Sequence, residues 1–330
     1  MSFDLSSVNL QEVHDWSVDL ARRAGQMMLD GSNKRFQNPS TEDHKTDAKK
    51  NAVDLVTEVD QAVEAFVISE IEKRWPSFKF IGEETQSAGA DSVLDDHPTF
   101  IVDPIDGTMN FVHGNPWCAI SIGLSINRIP YIGIIYSPFL NEMYTAIRNQ
   151  GSYLHKPNQP PLRLPLQPPT PLAVNTALII TEWGADRTTI GTSALSESSK
   201  ENFDVKLRTY FNLLRNSPNM VHGMRSYGAA SLNLCSVAAG HNDAYWEGGC
   251  WEWDVCAGWV ILHEAGGFMC EGNPPENFEA DVEGAKVEEA TLIGRKYLAI
   301  RGAKGGRKEQ EDLAKWVWKS MEGGRMTYGR

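Results

Sequence analysis

The sequence predicts an α+β fold from three observations. Long stretches carry apolar residues at helical spacing, short alternating strands flank a two-residue turn, and apolar strands end in acidic or glycine-rich turns. Residues 8–31 place Val13, Trp16, Leu20, Ala24 and Met27 on one helical face for core or dimer packing, with Gly31 as the stop. DLVTEVD (residues 54–60) opens a second amphipathic helix continuing through Val63, Phe66, Val67 and Ile71, with Asp60 near its N-terminus. Residues 78–85 alternate as a strand and end in Gly82, Glu83 and Glu84. If strand geometry continues, the two glutamates point to opposite sides and only one faces a site. Residues 118–126 and 130–136 pair around Asn127-Arg128, and residues 142–147 extend the antiparallel sheet.

Residues 156–171 are rich in proline, which excludes a central strand and predicts an exposed connector; recognition of a partner through PxxP is the alternative. Residues 177–181 read as a strand, 191–200 as a Ser/Thr-rich surface loop and 202–214 as a helix. The small residues of Arg225-Ser226-Tyr227-Gly228-Ala229-Ala230 lead into a helix bearing Leu232, Leu234, Val237 and Ala238. Its first N–H groups can approach a ligand, or the small residues serve close packing. Leu313, Trp316, Val317 and Met321 mark a final core-covering helix.

The chemistry concentrates in TFIVDPIDGT (residues 99–108), where an apolar strand delivers two carboxylates and a phosphate-sized turn to one point. Pro104, with its fixed φ, holds the chain open so that Asp103, Asp106 and the Ile105 carbonyl can face one hard cation. A helix starting at Gly107-Thr108 would aim its free N–H groups at an anion held there. The competing reading is that Asp-Pro and Asp-Gly simply form turns after a buried strand. Trp253-Asp254 begins an apolar helix running to Glu264, and Asp254 stands where an N-cap belongs. Together these carboxylates suit metal-assisted hydrolysis of a phosphate monoester, whose dianion needs cations at both ends of an in-line displacement; hard oxygen ligands select magnesium.

Composition narrows the class. With 330 residues, 41% of them hydrophobic, the chain can bury a large core, and no apolar run is long enough for a membrane span. The first residues lack a basic start and an apolar segment, so no signal peptide is expected and the cytoplasm is the default. The five cysteines form no CxxC pair and are expected to be reduced and mostly buried. A formal net charge of -12 argues against nucleic acid as a partner. A small anionic substrate remains compatible with that charge, because bound divalent metal reverses the local sign.

DLVTEVD, GEET (residues 82–85), DPIDGTMNF (103–111) and WDVCAGWVILHEAGG (253–267), in this order, resemble the inositol monophosphatase family across residues 15–300. The chain also resembles a fungal relative encoded with quinate-utilisation enzymes. The resemblance implies a layered αβαβα sandwich, shared with fructose 1,6-bisphosphatases. It implies one catalytic domain over residues 1–330, with metal motifs in 1–155, a connector at 156–171 and the substrate side in 172–330. It further implies a lithium-sensitive enzyme using two or three magnesium ions, a small-molecule phosphate ester as substrate, and a homodimer.

Carried over by position, the resemblance places Glu83, Asp103 and the Ile105 carbonyl on one metal and Asp103, Asp106 and Asp254 on a second. A third, looser magnesium would lean on Glu83 and water. The nucleophilic water would be oriented by Thr108 paired with Asp60. Gly107 and Thr108 amides would hold phosphate oxygens, and Asp106, Asp254, Glu247 and the Ala230 amide the alcohol portion. Lys49 matches a lysine near the family site, or is a solvated side chain. Departures from the animal enzymes lie on the substrate side: Ala185 where serine is frequent, Ala229 where threonine is, and Trp251-Glu252 where His-Cys commonly precedes Trp-Asp. The metal set is intact, so hydrolysis is expected despite these departures, and inositol monophosphate is the substrate that the resemblance implies. A phosphatase for another small polyol or sugar phosphate, and a weakly active regulatory paralogue, are the alternatives.

Overall fold

The computed structural model describes residues 2–37, 45–89, 93–184, 197–215 and 220–329. In chain order the first elements are α1 (Leu10–Gln37), α2 (Lys45–Arg74), β1 (Lys79–Gly82), α3 (Glu83–Ser87), β2 (Thr99–Asp106), α4 (Thr108–His113), β3 (Ala119–Ile126), β4 (Ile129–Ser137), β5 (Glu142–Ile147), β6 (Ser152–His155) and β7 (Leu162–Arg163). There follow β8 (Leu178–Thr181), α5 (Glu197–Leu214), β9 (Gly223–Arg225), α6 (Ala230–Ala239), β10 (Ala244–Gly248), α7 (Glu252–Glu264), β11 (Phe268–Glu271), β12 (Lys296–Ile300) and α8 (Arg307–Lys319). The chain divides into two units. The first takes Met1–Arg163, Gly228–Leu232 and Glu252–Glu264; the second takes Leu164–Tyr227, Asn233–Trp251 and Ala265–Arg330.

In the first unit, β1 to β7 lie side by side in sequence order, with β1 parallel to β2 and every later neighbour antiparallel. Phe100, Val102, Ile120, Ile122, Leu124, Ile132 and Ile134 point to one face and pack with Val13, Leu20, Ala24 and Met28 of α1 and Val63, Val67 and Ile71 of α2. The alternate residues Gly123 and Gly133 face α7. A Cβ on Gly123 would lie 2.9 Å from Cys256 Cβ, and one on Gly133 would overlap the Ala257 backbone. With helices on both faces, every residue of β2 and β3 is buried, which is why these strands read as near-continuous apolar runs. The β3–β4 hairpin turns at Asn127 (φ 53°) and Arg128 (φ 62°), the left-handed pair that a two-residue turn of this kind requires.

The second unit is a five-stranded sheet in the order β11-β12-β10-β8-β9. Strand β12 is antiparallel to β10 and β11, and β8 is parallel to β10 and β9. Ile179, Trp246, Leu298 and Ile300 of this sheet share a core with Val205 and Leu213 of α5 and Leu313, Val317 and Trp318 of α8. The molecule is thus α+β, as expected. All five cysteines are buried and none is in a disulfide. No described helix is long and apolar enough to cross a membrane.

Several expected boundaries move, each for a local reason. Helix α1 does not stop at Gly31. A Cβ there would meet Val59 Cγ2 at 2.6 Å, so this glycine permits close approach of α2 and the helix runs on to Gln37. Asp60 is not near the start of its helix, because α2 begins at Lys45. The added turns are rich in Lys and Ala, good helix formers that show no apolar period. Strand geometry ends at Gly82, so Glu83 and Glu84 stand on the first turn of α3 and the expected opposite-face rule does not apply. Asp254 is the third residue of α7, not its N-cap. Of the expected loop at 191–200, residues 191–196 lie outside the described residues and the rest begin α5. Within the proline-rich stretch, β7 adds to β6 at the sheet edge, a position open to proline-rich chain.

Candidate active site

In an unbroken strand, residues three apart point to opposite faces, so Asp103 and Asp106 would diverge. They do not. Asp103 pairs with Ser121 and Asp106 with Ala119, three residues of β2 against two of β3. The extra residue is a bulge at Pro104, which has no N–H for the ladder, and it turns both carboxylates toward one point. Asp254 joins them: ligand oxygens of Asp103, Asp106 and Asp254 all lie within 4.8 Å of one another. Helix α7 is set in place by the glycine contacts above and by Ser121, whose hydroxyl donates to the Trp253 carbonyl at 3.2 Å.

Asp106 is oriented from a different element. Its Oδ1 accepts from the Ala230 amide at 3.0 Å and its Oδ2 from the Ser231 amide at 2.7 Å and from the Ser231 hydroxyl. The first turn of α6 is thereby spent on this carboxylate. The Ala230 amide, expected to hold the alcohol portion, is engaged by Asp106 because an anion at a helix N-terminus satisfies donors that otherwise have no partner. The buried Glu64, one turn after Asp60 on α2, accepts the Glu84 amide at 2.9 Å, the Thr85 amide at 2.7 Å and the Thr85 hydroxyl, and so caps α3 and fixes Glu83. The Asp60/Glu64 spacing of one helical turn is legible in the sequence, but the apolar pattern around Glu64 carries no sign of its distant partners. Ser121 and Ser231 carry no sequence signal at all.

These carboxylates repel one another in a buried place. Burial, and then the charge of Glu83, drives the Asp103 carboxyl well above its ordinary range, with Asp106, Asp254 and Asp60 adding to it. Asp60 is pushed up to about 9, by burial first and then by Glu83, Glu84 and Glu64. Burial takes Glu83 up to about 7 against a hydrogen bond with Asp103 that acts the other way. Asp103 Oδ1 and Asp60 Oδ1 are buried without a hydrogen-bond partner among the described residues. Buried, mutually repelling oxygens with orphaned lone pairs are what a hard divalent cation satisfies, so the residues present fit a metal.

At the phosphate-sized turn, Gly107 has φ 85° and a Cβ there would lie 3.0 Å from both Ala229 Cβ and the Trp117 carbonyl, so only glycine serves. Helix α4 starts at Thr108. The Thr108 hydroxyl donates to the Ile105 carbonyl at 3.0 Å, not to Asp60 as expected; the turn at Gly107 brings the carbonyl three residues back within its reach. Ala229 is buried, and Lys49 and Ala185 lie outside the described side chains.

Glu247 belongs to the second unit. It is buried on β10, accepts the Tyr245 hydroxyl and is raised to about 7 by burial and then by the charge of Glu182, with Lys206 opposing. Glu182 was not anticipated: it accepts the Ser226 hydroxyl at 2.6 Å, the Tyr227 amide at 2.7 Å and the Asn233 side chain at 3.0 Å. It lies at the end of β8 next to Trp183, without a motif to mark it.

A family model described as the inositol monophosphatase family matches residues 9–322. Inositol monophosphatase 2 of Saccharomyces cerevisiae is 44% identical over 84% of this chain and 86% of its own. Protein qutG of Emericella nidulans is 39% identical over 97% of this chain and 96% of its own. Among solved structures, inositol monophosphatase from Anabaena (Nostoc) sp. PCC 7120 superposes with a TM-score of 0.63 at 24% identity, covering 97% of this chain and 98% of that one, which shows the shared fold. The family is metal-dependent, in keeping with the acidic triad. On its sequence over almost the whole length and on its fold, the chain belongs to the inositol monophosphatase family and is a phosphatase.

Proposed function

We propose that the protein hydrolyses inositol monophosphate to inositol and phosphate with magnesium. The observation that carries this reading is the convergence of Asp103, Asp106 and Asp254 at the β2 bulge in a chain 44% identical to a yeast inositol monophosphatase. Glu83, Asp103, the Ile105 carbonyl, Asp106 and Asp254 would hold two or three magnesium ions, Asp103 serving two of them. When bound, magnesium neutralises phosphate charge and the departing alkoxide in an in-line displacement by water.

The protein's own groups do the rest. Thr108 orients the attacking water once its hydroxyl leaves the Ile105 carbonyl to pair with Asp60, which is buried with an orphaned oxygen. The amides of Gly107 and Thr108, at the start of α4, receive phosphate oxygens. Asp106 and Asp254 face the alcohol portion, the Ala230 amide acts there through Asp106, and Glu247 accepts hydrogen bonds from ring hydroxyls. The resemblance supports a homodimer.

A second reading, hydrolysis of another small polyol or sugar phosphate, is favoured by the match to qutG over more of the chain and by Ala229, Trp251 and Glu252 on the substrate side. Phosphate release measured with magnesium over inositol monophosphates, sugar phosphates and nucleotide bisphosphates decides between them. Preference for inositol 1-phosphate, loss of activity in excess chelator and inhibition by millimolar lithium are expected. Full activity in chelator removes the metal mechanism, and preference for a sugar phosphate selects the second reading.

A further inference from the structure

Residues 323–329 follow the part of the chain that the family model matches, yet they are firmly tied down within the second unit. Asn273 pairs with both backbone groups of Met326, accepting its N–H at 3.0 Å and donating to its carbonyl at 2.8 Å. The Thr327 amide donates to Asn202 at 2.7 Å, Lys296 donates to the Tyr328 carbonyl at 2.9 Å and Arg295 to the Gly329 carbonyl at 2.7 Å.

What this segment covers is the end of β10. A Cβ on Gly248 would lie 2.5 Å from Tyr328 Cε2 and closer still to Met326 Sδ, so the tail occupies the space a side chain would need. Gly249, at φ 105°, would place a Cβ 3.2 Å from the same ring. From the helix side comes Lys206 of α5, almost fully buried, which donates to the Gly248 carbonyl at 3.0 Å and the Trp183 carbonyl at 3.2 Å. Its ammonium lies 5.1 Å from the centre of the Tyr328 ring, within cation–π range. The residue directly before this clamped glycine is Glu247.

We propose that Tyr328 and Lys206 are positioning residues that clamp the end of β10 and so hold Glu247 for recognition of the alcohol portion of the substrate. This rests on the reading of Glu247 given above. Glycines at 248 and 249 make the strand end pliable, and a carboxylate that must meet hydroxyls at hydrogen-bond distance needs it held.

The test compares kcat/KM for inositol 1-phosphate with that for glycerol 2-phosphate in the full-length enzyme. Tyr328→Ala is expected to lower this ratio about fivefold, mainly through KM for the inositol ester, and Tyr328→Phe to retain it. Lys206→Met should act in the same direction, with the double variant losing little more than the worse single one, as for two parts of one clamp. If Tyr328→Ala does not fold, Tyr328→Leu, which keeps bulk on Gly248 but offers Lys206 no ring face, carries the same comparison. An unchanged ratio in these variants while Glu247→Gln collapses it overturns the clamp, as does an equal loss on both substrates. If Glu247→Gln itself leaves the ratio unchanged, the substrate reading fails and the clamp falls with it.

Discussion

Ser121, the β3 residue paired with Asp103, donates its hydroxyl to the carbonyl of Trp253, the residue before Asp254. One buried serine thus ties the strand bearing one candidate ligand to the helix bearing another. Ser121→Ala should leave a buried carbonyl without its donor, costing about 1 kcal/mol of stability. It should also raise the magnesium concentration for half-maximal activity about threefold, with less effect on kcat at saturation. Thermal unfolding and a magnesium titration of turnover check both, and an unchanged titration would leave Ser121 a packing residue only.

Asp103→Asn should nearly abolish turnover, because an amide is a poor magnesium ligand and this carboxylate serves two ions in the proposed site. In the metal-free protein the same change relieves repulsion from Glu83, Asp106, Asp254 and Asp60, so its melting temperature should stay level or rise. The rise in melting temperature that magnesium gives the wild type should disappear. Asp254→Asn should behave alike; lowered melting with intact turnover would mean that Asp254 serves only the first turn of α7.

The raised carboxyls set a pH dependence with a definite sign. Asp60 moves from an ordinary 3.8 to about 9 and Glu83 from 4.5 to about 7, so in this range the folded state holds protons that the unfolded chain releases. Stability of the metal-free protein is therefore greatest near and below the ordinary values. It falls as pH rises, through about 7 for Glu83 and about 9 for Asp60. Carboxyls with lowered values, such as Asp95 at about 2, lose their contribution only in acid; His155, lowered by burial, opposes the trend below its ordinary 6.5 but is one group against several raised carboxyls, Glu247 at about 7 among them. Melting temperature in chelator should fall from about pH 5 to about pH 8, and magnesium should stabilise more at the upper end. A flat or rising profile in chelator would contradict the buried cluster.

Glu247→Gln should lower kcat/KM for inositol 1-phosphate about tenfold, while glycerol 2-phosphate changes much less, since charge-assisted hydrogen bonds contribute about 1.5 to 3 kcal/mol. Equal loss on both esters would assign Glu247 to the fold, through its contact with Tyr245, instead of to the substrate.

The fold class, the β3–β4 hairpin, the burial of the cysteines and the acidic motifs are legible in the amino-acid order alone, because they rest on short-range rules: apolar period, turn chemistry, and the few residue types that can ligate a hard cation. That Asp103 and Asp106 share a face is settled by the fold, because the bulge that aligns them is defined by the pairing of β2 with β3. The same holds for Gly31, which looked like a helix stop and proved to be a contact with Val59, and for Glu64, Ser121 and Ser231, whose roles come from partners 20, 132 and 125 residues away. A glutamate or serine has no local pattern that tells which distant backbone group it will meet. That choice is made when the sheet and its helices close around the carboxylates.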